Sequence, residues 1–250
     1  MKAIYFDLDD TLCAYWDASK AALKQTFTDV LIEGYSPEEM IRNWAAAFQE
    51  FGKDLKATGW YETYLKVGEP TRTEQMRLTL RRVGVDDLAK AKELSESYMV
   101  LRDKNLKLFP EAIEVLDALK GKYVLGLITN GPADIQRQEV DTLGIAHYFD
   151  HIWIEGEMGE GKPVPRVFER AVEAAGSTPE TTLMVGNSYK HDVAAAIAMG
   201  WNAIWIRRPS DVPPSAGPEA KPEERPQDGP VPTRTISDLR ELYDFLGMSK

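Results

Sequence analysis

The sequence is poor in several things, and each shortage closes off a class of protein. Its only cysteine is Cys13, so neither an intrachain disulfide nor a cysteine zinc cluster is available. Forty acidic residues face thirty basic ones, a formal charge of −10 with a pI near 5.0. That balance denies the chain the broad basic field that nucleic acid requires, while leaving room for a local anion pocket. No apolar run approaches the ~18 residues of a membrane span; residues 194–206, for example, are interrupted by Gly200 and Asn202. The N-terminus carries no signal-peptide core and no internal repeat is visible. The expectation is therefore a cytoplasmic protein with neither nucleic acid nor membrane as partner. What is present is ordinary: 250 residues, 43% apolar and 28% charged, enough for one domain with an insertion or for two small ones.

One stretch organises the rest. Ala3, Ile4, Tyr5 and Phe6 read as a buried strand whose apolar character stops at Asp7, Asp9, Asp10 and Thr11. Alternation along an extended chain starts Asp7 and Asp9 on one side and Leu8 and Asp10 on the other. Two like charges so close at the rim of a buried strand are costly unless a cation holds them or one keeps a proton. One carboxylate can then serve as nucleophile and the other can give and take a proton. Oxygen-only ligands favour Mg²⁺ over zinc or copper. The bland alternative is an acidic turn with helix-capping Asp and Thr.

From residue 16 to about 106 the pattern is helical. Leu23, Phe27, Val30 and Leu31 share a face and Gly34 follows as a stop. Ser36, Pro37 and Glu39 make a capping box, with Met40, Ile41, Trp44, Phe48 and Phe51 continuing the apolar face. Thr71 and Glu74 suggest a second capping box, its helix ending at Gly84, and a further helix covers about 86–101. From Pro110 the rhythm changes to helices alternating with apolar strands at 123–128, 151–154, 182–185 and 203–206. With the first strand this predicts five parallel strands in an α/β, doubly wound, Rossmann-like sheet. The expected organisation is a core of residues 1–15 and 107–250 with an all-helical cap at 16–106. Residues 209–232 hold eight of the fifteen prolines and read as an extended loop. A short amphipathic helix is expected over 236–246.

Ligands in such sheets bind beyond the carboxyl ends of the strands, where the remaining polar residues fall. Thr129, Asn130 and Gly131 offer a hydroxyl and backbone N–H groups at a helix start, suited to an anion or to simple capping. Lys162, between Gly161 and Pro163, can neutralise an oxyanion or be a solvated loop lysine. Asn187 and Asp192 open the next helix, suited to cation contacts or to capping. Residues 156–162 spell GxxxxGK, the beginning of a nucleotide-binding P-loop, but Pro163 has neither the hydroxyl nor the N–H that the next position must supply.

Taken together, "DLDDT", "ITNG", "GKPVPRVFE" and "VGNSYKHD" resemble, in order and spacing, the four motifs of the haloacid dehalogenase-like superfamily. The resemblance covers residues 2–15 and 108–206, and the helical stretch is similar only in position and class to the cap that many members insert. It implies Asp7 as the nucleophile that becomes an aspartyl phosphate and Asp9 as the general acid and base. It also implies Mg²⁺ on the Asp7 carboxylate and the Asp9 carbonyl, phosphate oxygens on Thr129, its neighbouring amides and Lys162, and Thr11 ordering the loop. The family commonly has Asp after Gly186; here Asn187 leaves the metal site with less charge, and Asp192 is the candidate to compensate. The implied activity is a Mg²⁺-dependent phosphatase acting on a small phosphorylated metabolite, as a monomer or homodimer. Alternatives are a 2-haloacid dehalogenase, which Asp9 counts against because a halide needs no proton, a phosphomutase, or a weakly catalytic binding protein. Tyr15, Trp16, Trp44, Trp60, Tyr61 and Tyr64 are candidates for a surface over the leaving group or for core. Arg77 and Arg81 either meet a second anion or lie on a solvated helix face.

Overall fold

Ala3, Ile4, Tyr5 and Phe6 are fully buried and form β1 (Ala3–Phe6). This computed structural model describes residues 1–217 and 219–248. Five helices follow without a strand: α1 (Tyr15–Asp29), α2 (Pro37–Asp54), α3 (Trp60–Lys66), α4 (Glu69–Arg81) and α5 (Leu88–Asn105). The remaining elements alternate: α6 (Ala112–Leu119), β2 (Val124–Thr129), α7 (Ala133–Leu143), β3 (His151–Ile154), α8 (Glu155–Met158), α9 (Pro165–Ala175), β4 (Thr182–Gly186), α10 (Ala195–Ala198), β5 (Asn202–Ile206), β6 (Arg234–Ile236) and α11 (Leu242–Leu246). A π-helical turn, Tyr189–Ala194, leads into α10.

The strands pair in parallel in the order β3-β2-β1-β4-β5-β6. Side-chain alternation on β1 sends Ile4 and Phe6 into one apolar layer with Leu116, Leu127 and Leu239, and Ala3 and Tyr5 into the other with Phe168 and Trp201. The sheet is thus covered on both faces, as a parallel sheet must be. Phe6 stands beside Leu127 on β2 and Val185 on β4, so the three strands run out within two residues of one another and the residues after them gather at the same edge of the sheet. The chain's direction across the sheet reverses between β1 and β4, the crevice where open α/β sheets bind ligands. Residues of α1, α2, α4 and α5 build a separate apolar cluster around Phe27, Trp44, Met76 and Leu94.

Four expectations are corrected. The sheet has six strands; β6 is only three residues long, preceded by Pro230 and Pro232, and only Ile236 is buried, too little for a periodic signal. The expected final helix is accordingly shorter, a 3₁₀ turn at Leu239–Glu241 and then α11. Helix α1 stops at Asp29, leaving Leu31 70% exposed. At α4 the capping box is absent: the helix starts at Glu69 with Pro70 in its first turn, and Thr71 donates its hydroxyl to the Gly68 carbonyl (2.8 Å) instead. The Ser36 capping box on α2 is formed as read.

The proline-rich stretch is extended but tied down at both ends of its course. Gln49 on α2 donates to the Ser215 carbonyl (2.7 Å) and Lys20 on α1 to that of Ser210 (3.3 Å). On the core side Tyr189 donates its N–H to Glu223 (2.8 Å) and its hydroxyl to the Pro230 carbonyl (2.7 Å). Composition cannot reveal such anchoring because backbone carbonyls do most of the accepting. Tyr189 is buried, so Tyr189→Phe removes one hydroxyl bond without changing shape. The expected cost is about 1 kcal/mol, a fall of roughly 2–4 °C in thermal midpoint. An unchanged midpoint would mean that Pro230 does not hold this tyrosine in solution.

Candidate active site

Asp7 continues β1 and its N–H donates to the Val185 carbonyl (2.9 Å), so the carboxylate is carried at the end of an interior strand paired on both sides. Oδ1 of Asp7 accepts from Lys162 Nζ (2.6 Å), and the same ammonium reaches Asp192 Oδ1 (2.6 Å). All three side chains are buried. Lys162 is itself held by Asn130, whose amide accepts from the Lys162 N–H (2.8 Å) and donates to its carbonyl (2.7 Å). Asp192 has its second oxygen on the Ser188 N–H (2.9 Å). Its side chain fills the space over Gly186, where a Cβ would collide with the carboxyl group.

Thr11 closes the other side. Its hydroxyl accepts from the Asn187 N–H (3.0 Å) and faces Asn187 Oδ1 (3.2 Å) and Asp7 Oδ2 (3.4 Å). The turn that delivers Thr11 passes through Asp10 at φ 54°, a left-handed conformation that Asp tolerates better than most residues. Arg208, just after β5, donates to the Thr11 carbonyl (3.1 Å), pairs with Glu111 (2.8 Å) and lies over the Phe109 ring.

Asp9 Oδ2 accepts from Gln136 Nε2 (3.1 Å), which also contacts Glu139 (3.1 Å). Glu139 pairs with the buried guanidinium of Arg102 (2.7 Å). Burial, and next the charge of Asp7, pushes the Asp9 carboxyl up to about 6. Burial raises Asp7 to about 6 as well, even with Lys162 pulling the other way. Lys162 loses proton affinity to burial but regains more from Asp192 and Asp7, so its pKa ends above the usual lysine value. The site therefore holds two carboxyl groups whose proton affinity is raised and a lysine whose positive charge its two carboxylate neighbours favour.

Every sequence-predicted site residue lies here, though not always in the expected posture. Thr129 donates its hydroxyl to Gln136 Oε1 (2.5 Å), and the Gly131 N–H donates to Glu155 Oε2 (3.0 Å) rather than facing the crevice. Asp192 has both oxygens engaged, which places it as the counter-ion of Lys162 and makes Asn187 the more open donor. The GxxxxGK stretch forms the short helix α8 and a turn, and its lysine reaches Asp7 and Asp192 across a cis Lys162–Pro163 bond. Gln136, Glu139, Arg102 and Arg208 escaped the sequence reading. So did Asp211, from the proline-rich stretch, which lies near the Asn187 side chain and is pushed by burial to about 6. Among the described residues no trio of His, Cys, Asp or Glu forms a ready-made metal cluster.

A cavity of about 350 Å³ opens from Asp7 and Asp9 toward the helices, lined there by Tyr15, Trp16, Trp44, Phe48 and Tyr64. Trp44 is both core and cavity wall, 3% exposed. Tyr61 stacks on Tyr64 and donates its hydroxyl to Glu155 (2.6 Å), while Trp60 packs edge-on against Phe51. Arg77 and Arg81 are spent on Glu74 and Asp86, a solvated helix face.

A buried carboxylate at a strand end, a second acid two residues on, a lysine from a distant loop and a polar residue after β4 make one recurrent arrangement, and sequence comparison finds its family. The haloacid dehalogenase-like hydrolase model matches residues 1–200, and a related HAD-hydrolase-like model matches 159–242. The chain belongs to the haloacid dehalogenase-like hydrolases. Among curated relatives in this family, the phosphoserine phosphatase of Thermus thermophilus is 33% identical over 83% of this chain and 89% of its own. A glyceraldehyde 3-phosphate phosphatase of Methanothermobacter thermautotrophicus is 30% identical over 82% and 85%. Among solved structures, the magnesium-bound HAD-hydrolase YfnB of Bacillus subtilis shares the fold with a TM-score of 0.71 at 21% identity, covering 99% of both chains. A 2-haloacid dehalogenase of Pseudomonas syringae pv. tomato gives 0.66 at 25%, covering 99% of this chain and 98% of that one. No described helix is long and apolar enough to cross a membrane.

Asp10 supplies a test of this family member's electrostatics. One of its oxygens is buried without a partner, and burial, then the Asp9 charge, pushes its carboxyl up to about 9. A raised carboxyl pKa means that the folded state keeps a proton the unfolded state has released. Stability contributed by that proton is complete at low pH and declines as pH climbs from about 4 toward about 9, by up to ~1.4 kcal/mol per unit. Asp10→Asn cannot ionise and suits the left-handed turn. In metal-free buffer it should flatten the fall in thermal midpoint between pH 7 and 9; parallel slopes for the two proteins would contradict the buried proton.

Proposed function

We propose that the chain is a Mg²⁺-dependent phosphatase that hydrolyses a small phosphomonoester through a phosphoryl group carried on Asp7. The observation that carries this reading is the pairing of Asp7, anchored by Lys162, with a second, half-buried acid, Asp9, which lines the same cavity and whose carboxyl its surroundings push up to about 6. In the first half-reaction an Asp7 oxygen bonds to phosphorus, the ester P–O bond breaks, and Asp9 gives its proton to the departing alkoxide. In the second, water attacks phosphorus, Asp9 takes its proton, and the Asp7–phosphorus bond breaks to free the carboxylate and inorganic phosphate. Lys162 and the Asn130 loop hold transferring oxygens throughout. Thr129 reaches them only by turning its hydroxyl from Gln136, and the Gly131 N–H only by leaving Glu155.

The donor set suits a hard cation. Asp7, the Asp9 carbonyl and Asn187 offer oxygens only, and they sit among Asp10 and Asp211, with the Lys162 ammonium shared between Asp7 and Asp192. Few protein oxygens, completed by phosphate and water, is the usual way Mg²⁺ is bound. The ion would neutralise charge as an anionic nucleophile meets an anionic substrate. Asp211 returns beside Asn187 a carboxylate that the motif position itself lacks. Residues 16–106 serve as the cap over the leaving group and residues 1–15 and 107–250 as the core. Both the curated relatives named above are phosphatases.

A dehalogenase also forms an ester on its aspartate, but halide departs without a proton, so Asp9 and the Gln136–Glu139–Arg102 network behind it would have no task. Two variants test the assignment with Mg²⁺ present. Asp7→Asn should stay folded and lose at least about 10³-fold in kcat on p-nitrophenyl phosphate. Asp9→Asn should lose about 10²- to 10⁴-fold on alkyl phosphates and distinctly less on p-nitrophenyl phosphate, whose leaving group needs no proton. Equal losses on both esters would remove Asp9 as general acid, and unimpaired Asp7→Asn turnover would remove the covalent route.

A further inference from the structure

The cavity that holds the carboxylates is also lined by a cation that has no ion-pair partner among the described residues. Arg72 projects from the first turn of α4 into the cavity, beside Thr71, Gln75 and Tyr98. Its Nε is buried without a hydrogen-bond partner, and among the described residues its guanidinium makes no ion pair. The other arginines of these helices with assigned contacts are spent. Arg77 holds Glu74, Arg81 holds Asp86, Arg82 holds Glu50, and Arg102, although it too lines the cavity, is tied to Glu139 and Asp103. Asp134 acts on Arg72 electrostatically but is exposed and spends its oxygens on the N–H groups of Gly68 and Ile135. Burial, and next the charge of Arg102, lowers the Arg72 pKa from its ordinary value, the sign of a cation that gains by meeting an anion.

An unpaired, partly desolvated guanidinium is expensive to keep, and its planar fork matches a carboxylate through two parallel N–H bonds. We infer that Arg72 is a specificity-determining residue that binds a carboxylate on the leaving group, so that the substrate is a small carboxylate-bearing phosphomonoester. This rests on the reading of Asp7 as phosphoryl acceptor, which orients the ester with phosphate at the strand ends and the remainder toward α4. A second phosphate fits less well: it brings two charges, and Arg72 is the one uncommitted cation on that wall among the described residues. The walls beside it, Trp16, Trp44, Phe48 and Tyr64, give the carbon skeleton an aromatic surface in a space of about 350 Å³.

The test uses pairs of compounds that differ in the carboxylate. For binding, phosphonoacetate and ethylphosphonate are titrated calorimetrically into the full-length protein in Mg²⁺ buffer; for turnover, kcat/KM is compared for O-phosphoserine and O-phosphoethanolamine. The wild type should bind phosphonoacetate at least about tenfold more tightly than ethylphosphonate and show a matching preference in kcat/KM, carried by KM. Arg72→Met should bring both ratios near one. Arg72→Lys, which keeps the charge without the fork, should leave an intermediate ratio and carries the test if the methionine variant does not fold. A wild-type ratio near one, or a ratio that survives in Arg72→Met, overturns the assignment even if the protein is an active phosphatase. A carboxylate preference in binding that Arg72→Met abolishes, without hydrolysis of either ester, supports Arg72 and instead overturns the catalytic reading.

Discussion

The ammonium group of Lys162, within 2.6 Å of both Asp7 and Asp192, is the interaction on which the rest depends. It joins three segments that are far apart in the chain: the end of β1, the turn after α8 and the π-helical turn after β4. A buried ion pair is weak evidence of stabilisation, since desolvation consumes most of the Coulomb gain. Its value here is positional. Asn130 grips the Lys162 backbone in both directions, Ser188 fixes the far oxygen of Asp192, and the missing Cβ at Gly186 makes room for that carboxyl group. Removing the shared Lys162 charge would strand two carboxylates in a low-dielectric crevice at a cost of about 3–5 kcal/mol, whereas removing Asp7 leaves Lys162 paired with Asp192.

What this arrangement leaves unbalanced is as informative as what it balances. Asp7, Asp9 and Asp10 follow one another at the end of a buried strand, Asp211 comes in from the proline-rich stretch, and burial raises the proton affinity of all four. A site built this way has a standing need for positive charge near Asp7, which suits a divalent ion, and a reservoir of exchangeable protons near Asp9. On the helical side the imbalance has the opposite sign, at Arg72. A small doubly anionic substrate would answer both ends of one cavity.

Much of this was legible in the sequence because it depends on local order. An apolar run cut off by Asp7 and Asp9, and polar residues placed just after each later strand, can be read without coordinates once the strands are known to be parallel. The supporting residues could not be read that way. Gln136 and Glu139 lie three apart on α7 and look like one solvated stripe; only the approach of β1 and α5 turns them inward to Asp9 and Arg102. Arg208 and Asp211 follow β5 like ordinary loop residues, and their partners, Thr11 and Asn187, are nearly two hundred and about twenty-five positions away. The start of α4 differs from the expected one for a simpler reason: Pro70 supplies the helix start that Thr71 and Glu74 also advertise, which puts Arg72 within the first turn.

The central claim is that phosphorus is transferred to the Asp7 side chain. Its most direct test is chemical trapping of that bond. The wild-type enzyme, mixed with excess p-nitrophenyl phosphate and Mg²⁺ and quenched in acid within a single turnover, is treated with borohydride, which reduces an acyl phosphate to an alcohol, and then mapped by peptide mass spectrometry. The account predicts homoserine at position 7 in the peptide that begins the chain, dependent on both substrate and Mg²⁺. Phosphate release without any reduction at Asp7, or a phosphoryl group found instead on Ser188 or His191, would contradict it.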